Sequence, residues 1–176
     1  KKIGITSFAI RGTTFKQTTT TSETSTTITT TTTTLQFPKQ PDAVWDALME
    51  SLYPDFVAII QDELKAPVLP LETITNTPAY ATVDAFAKDD QNTKVESARA
   101  FRNSKVLSAF LPVSEGFGAN SVNERIMNET GADAVVNLTV ELEISEGDGG
   151  LIHMSPKLGM EISGKVIGLV GLGAVG

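Results

Sequence analysis

One stretch constrains this chain more than any other: Gly118 to Ser145 reads as a helix, a glycine stop and a long strand. Asn120 or Ser121 can cap the first turn, and Glu124 stands three residues after Ser121 in a capping-box arrangement. Val122, Ile126 and Met127 then form an apolar stripe at helical spacing, while Asn123, Arg125 and Asn128 face the other way. Gly131 follows as a residue that can take positive φ and end the helix. From Ala134 the period changes. Val136, Leu138, Val140, Leu142 and Ile144 alternate with Asn137, Thr139, Glu141 and Glu143, which predicts a strand over 134–144 with one face on a core. The other face then meets water or polar neighbours.

The rest of the chain supplies elements to pack against this unit. Residues 2–10 (KIGITSFAI) are apolar and β-branched and read as a first strand, with a turn or bulge at Arg11 and Gly12. Residues 18–34 hold thirteen Thr and two Ser among seventeen positions, so this insertion, 16–36 at its widest, has almost no apolar face. Threonine fits a pleated surface, and a long solvated hairpin or strand extension turning at 23–25 is expected; a linker ordered by its neighbours is the alternative. A regular threonine array could also match an ice lattice, a reading with only composition behind it. Pro41 and Asp42 open a helix whose apolar stripe reads Trp45, Leu48, Leu52, Phe56, Ile59 or Ile60, and Leu64, with Pro54 kinking it or splitting it into 42–53 and 54–64. Further on, 67–75 reads as an edge strand, 76–78 as a turn, 80–88 as a short helix and 89–93 as a polar loop. Residues 95–102 read as weakly helical, 106–113 as an apolar strand and 114–118 as a glycine loop. The Gly-Asp-Gly-Gly at 147–150 signals a hairpin to 151–154, and 158–170 reads as a closing strand. Interleaved strands and helices imply a single α+β domain over 1–176. Its mixed sheet has about five strands, helices lie mainly on one face, and the threonine-rich segment extends it.

A formal charge of −7 and a pI of about 4.7 argue against a nucleic-acid or anionic-membrane surface, since phosphate binding needs a basic patch. The absence of cysteine removes disulfides, thiolate metal sites and cysteine nucleophiles. No apolar run reaches the roughly 18–20 residues of a membrane helix. The Gly-Leu-Gly-Ala-Val-Gly at 171–176 spells GxGxxG, but a glycine-rich tail is expected there in preference to a dinucleotide loop, which must open a helix and precede an acidic residue. His153 is the single histidine and cannot build a metal site, and Asp89 with Asp90 reads as a solvated doublet. Glu141 and Glu143 share a strand face and are expected to be exposed. The Asn128 and Asn137 sequons are glycosylation sites in form only. No cofactor and no catalytic group is expected. The one candidate binding site is the loop Ser114, Gly116, Gly118, whose backbone donors could receive an anion with help from Arg99 and Arg102.

The order of elements resembles the bacterial envelope domains that include the TolB amino-terminal domain and the curli-secretion lipoproteins. The matching residues are the opening strand at 3–8, the acidic-Leu helix end at 62–64 and the Gly-Ala-Asp-hydrophobic step at 131–136. The opening strand lacks that family's usual proline, and the threonine insertion is unusual for it. The resemblance implies a non-enzymatic, periplasmic or outer-membrane-associated domain that binds protein partners or assembles. It would meet a membrane only through a lipid anchor that this chain does not carry. Three readings follow: an envelope binding or assembly module; a small-molecule or anion-binding α/β domain at loop 114–118; and a structural role in which the threonine arm mediates self-association.

Overall fold

The computed structural model describes residues 1–86, 90–91, 94–107 and 121–164. They form an α+β fold on one mixed six-stranded sheet. In chain order the elements are β1 (Ile3–Glu23), β2 (Ile28–Gln36), α1 (Asp42–Leu64), α2 (Leu71–Thr75), α3 (Pro78–Ala81), β3 (Asp90–Gln91), β4 (Lys94–Ala100), α4 (Val122–Thr130), β5 (Ala134–Glu146) and β6 (Ile152–Gly164). The sheet order is β3-β4-β1-β5-β6, with β2 paired to the far half of β1. β1 and β5 run parallel, and every other pair is antiparallel.

β1 explains the arrangement. Its apolar residues Ile3, Ile5, Phe8 and Ile10 break strict alternation by one position, and a bulge at Thr6 absorbs the extra residue. Ile5 thereby pairs with Val136, Phe8 with Leu138 and Ile10 with Val140, all on one face. The polar groups of Thr6 are not stranded: its hydroxyl donates to Val136 O at 3.1 Å and its carbonyl accepts from Tyr80 Oη at 2.8 Å.

α1 covers most of that face, burying Met49 and Ile60 against Phe8, Ile10, Leu138 and Val136, and Leu71 at the start of α2 joins the same cluster. Phe8 sits within an aromatic group of Tyr53, Phe56 and Phe101, with centroids 5.3–6.0 Å from its own. α2, α3 and α4 lie on the opposite face, where Ile74, Tyr80, Ile126 and Met127 pack on Val135. Helices thus cover both faces of the sheet, three of the four described ones on the same face. Asn137 and Thr139, placed by alternation on the polar face of β5, are buried with the rest of Ala134–Thr139, and the Thr139 hydroxyl donates to Leu107 O at 2.9 Å. Toward the end of β5 the alternation shows again: Ile144 is buried and Glu143 exposed.

The helix–glycine–strand unit has the expected form. Ser121 caps α4 by accepting from Glu124 N at 3.2 Å, and Gly131 ends it at φ 71°. Asn123 departs from its solvent placement by donating to Ser163 at 3.1 Å. The hairpin at Asp148–Gly150 also forms, though β6 is one strand from Ile152 to Gly164 instead of two pieces. The threonine segment is a hairpin: β1 pairs with β2 from Phe15↔Gln36 to Glu23↔Ile28, and the chain reverses at Ser25 and Thr26, just past the expected turn.

Other expectations fail where tertiary partners decide. Arg11 and Gly12 continue β1 without turning, and the second bulge falls at Thr14. α1 runs through Pro54 unbroken; Pro54 and Glu50 are exposed, so water can satisfy the carbonyl that loses its donor. Its buried face is rotated one position, from Leu48 and Leu52 to Met49 and Tyr53. Of the strand expected over 67–75, only Val68 bridges, to Ile3; after Pro70 the chain enters α2, with Leu71 and Ile74 buried. Of the helix expected over 80–88, Tyr80 and Ala81 lie in the single turn of α3, capped by Thr77, and residues 87 and 88 lie outside the described residues. Residues 95–102, expected to be helical, lie largely in β4, because the edge of β1 from Ala9 to Lys16 offers a ladder to pair with. Residues 108–113 of the expected apolar strand, and the glycine motif at 171–176, lie outside the described residues.

Candidate functional site

Arg99 closes onto α1. Its Nε and Nη2 donate to the two carboxylate oxygens of Asp46 at 2.7 Å each, and Nη1 reaches Asp42 at 3.3 Å. Arg102, held at φ 48° just beyond β4, donates in the same fork to Glu50 at 2.9 and 3.0 Å. Asp42, Asp46 and Glu50 recur every four residues, so they share one flank of α1, facing β4. The arginine hydrogen bonds hold the Asp46 and Glu50 carboxyls below their ordinary values and raise both guanidinium pKa values. These arginines, expected to lie beside an anion site, already spend their charge on α1. Ser114, Gly116 and Gly118 lie outside the described residues. Beside Arg99, a cleft between Trp45, Phe37, Ile10, Leu142 and Met154 encloses about 20 Å³, room for water but not for a ligand.

A second charged group was not legible in the sequence. Arg11 stands over the Phe86 ring, its guanidinium carbon 3.5 Å from the centroid. It bonds Glu96 at 3.2 Å and Glu141 at 3.3 Å, while Lys94 pairs with the same Glu96 oxygen. Glu96 is buried, and Glu141 is half-buried where exposure was expected. Among the described residues, Arg11 and Lys94 face Glu96 and Glu141, and these ion pairs tie β4, β1 and β5 together. Only strand pairing assembles it; no local pattern could have announced it. Glu143 is exposed as expected and pairs with Lys157 at 2.8 Å. His153 is exposed on β6.

The feature least absorbed by the core is the arm made by β2 and the far half of β1. β4 leaves β1 at Lys16, and β1 continues seven residues to Glu23, or about 23 Å of strand. Threonines face one another along the arm: Thr18↔Thr33, Thr19↔Thr32, Thr20↔Thr31 and Thr21↔Thr30. The hydroxyls of Thr19 and Thr32 are 3.3 Å apart. The register is set at the base, where Phe37 N donates to Thr14 O at 2.8 Å and Leu35 pairs with Lys16. Among the described residues, the arm's outer edges pair with no further strand. An unpaired edge of β-branched residues with a single charge, Glu23, between Gln17 and Gln36 is a template for another strand. Compared with protein-family models, with curated proteins and with solved structures, the chain matches none.

Proposed function

We propose that this chain is a non-enzymatic binding or assembly module of the bacterial cell envelope, engaging protein by strand addition along the β1–β2 arm. The projecting arm carries the proposal. It leaves a well-packed body, exposes the backbone of both outer edges, and lacks the lysines, prolines and edge bulges that usually protect such edges. Its composition also frees it from like-charge repulsion, so a second copy of this acidic chain can approach the arm more easily than the body. The envelope location rests on the resemblance, whose matching segments lie in the adjacent strands β1 and β5 and at the end of α1.

The test compares the full chain with a variant in which residues 18–34 are replaced by a short Gly-Ser turn, by size-exclusion chromatography with light scattering. A multimer for the full chain and a folded monomer for the variant is the expected result. Two monomers of equal stability would remove the arm from assembly.

A further inference from the structure

α1 carries a second apolar line beside the buried one. Leu48, Leu52 and Ile59 are exposed, and on a helical wheel they lie within a sector of about 40°, roughly 90° around the helix from Met49 and Ile60. The opposite flank carries Asp46 and Glu50, which hold Arg99 and Arg102 on the β4 side. Since β4 lies on one side of β1, and β5 and β6 on the other, the apolar flank faces β6.

β6 presents the matching surface. Leu158, Met160 and Ile162 pair with Val140, Leu138 and Val136, residues that pack on the α1 side of the sheet. Cross-strand partners point to one face, so these three lie on the α1 side too. They are 67, 50 and 42% exposed because α1 does not reach over β6. Wall and floor make a channel that Trp45 and Met154, both lining the small cleft at the α1 N-terminus, close at one end. Asp55 and Glu63 bracket the α1 line and are exposed, and among the described residues neither pairs with a cation.

We propose that this channel docks an amphipathic helix of a partner protein, one whose apolar stripe is flanked by lysine or arginine. The α1 wall from Leu48 to Ile59 runs about 16 Å, the length over which a helix presents three or four anchors at i, i+3 or i+4, and i+7. The rim selects the charge of the partner. It also disfavours a second copy of this chain, because a two-fold pairing would bring two acidic rims together.

The test titrates the full chain into a fluorescently labelled peptide of about five helical turns with a leucine stripe and lysine flanks, reading anisotropy at physiological salt. The same peptide with glutamate flanks is the comparison. The lysine peptide binds and the glutamate peptide does not. The double variant Leu52→Ser, Met160→Ser, which keeps the net charge at −7, binds at least roughly tenfold more weakly. Ile28→Ser, an exposed apolar position on the arm, binds unchanged. Thermal melts show the variants folded, since each altered side chain is exposed. Equal binding by L52S/M160S means adsorption to an acidic surface and overturns the proposal. So does equal binding by the glutamate peptide, or no binding at all. Concentration-dependent dimerisation abolished by L52S/M160S, without peptide binding, makes a second copy the occupant and overturns it too.

Discussion

Gly4 and Gly131 show two different uses of a missing side chain. Gly131 needs its freedom for conformation: φ is 71° and nothing lies within 4 Å of where a Cβ would stand. Gly4 needs its freedom for space. A Cβ there would meet Ile74 Cδ1 at 2.6 Å and Val135 Cγ1 at 3.3 Å, because α2 lies directly on the β1–β5 pair. Gly4→Val therefore overpacks the smaller-helix face and lowers stability by about 2–3 kcal/mol, read as a drop in the midpoint of urea unfolding at unchanged slope. A midpoint equal to that of the unaltered chain would mean α2 sits off the sheet. Neither role is legible from glycine content; the second depends on an element seventy residues away in the chain.

At the scale of elements, α1 is fastened to β4 by the two arginine forks as well as by its buried face. Asp46 and Glu50 have folded-state pKa values below the ordinary 3.8 and 4.5, chiefly through the Arg99 and Arg102 hydrogen bonds. A lowered carboxylate pKa contributes stability that is present above the unfolded value and lost as pH falls through the folded one. The α1–β4 fastening thus weakens only below about pH 4.5. The pairs are solvated, so the loss is modest and screened by salt. Melting temperature followed from neutral pH to pH 3 or below should fall less steeply in the double variant Arg99→Gln, Arg102→Gln than in the unaltered chain. Parallel curves would show that other carboxylates govern acid sensitivity. The arginines themselves were visible in the sequence as a cationic pair. Their partners were not, because the spacing that aligns Asp42, Asp46 and Glu50 reads equally well as a solvated helix face.

Over the whole molecule, the sheet separates two layers, each holding one of the chain's two tyrosines. Burial pushes Tyr53, on the α1 side, and Tyr80, on the other, up to about 12. Tyr80 Oη also accepts from Lys105 N at 2.7 Å while donating to Thr6 O, so ionisation would cost a bond at the β1 bulge. A raised tyrosine pKa gives stability that is intact below the unfolded value near 10 and is lost between about pH 10 and 12. Spectrophotometric titration should show no tyrosinate near pH 10, then a late rise coincident with loss of near-UV dichroism. Half-ionisation near pH 10 in a still-folded chain would contradict the burial of both layers. The sequence by itself determined the features whose cause is local. Ser121 and Gly131 bound α4 through backbone hydrogen bonding and φ, the glycines at 147–150 turn β5 into β6, and a β-branched run without an apolar face stays out of the core as a hairpin. Tertiary structure alone decided the rest. Residues 94–100 became a strand because β1 offered an edge, and Leu71–Thr75 a helix because Leu71 and Ile74 each reach a core. α1 turned Met49 inward and left Leu48 and Leu52 beside an open strand. The physical reason is the same throughout: short or doubly apolar segments carry nearly balanced local preferences, and a partner distant in the chain tips them.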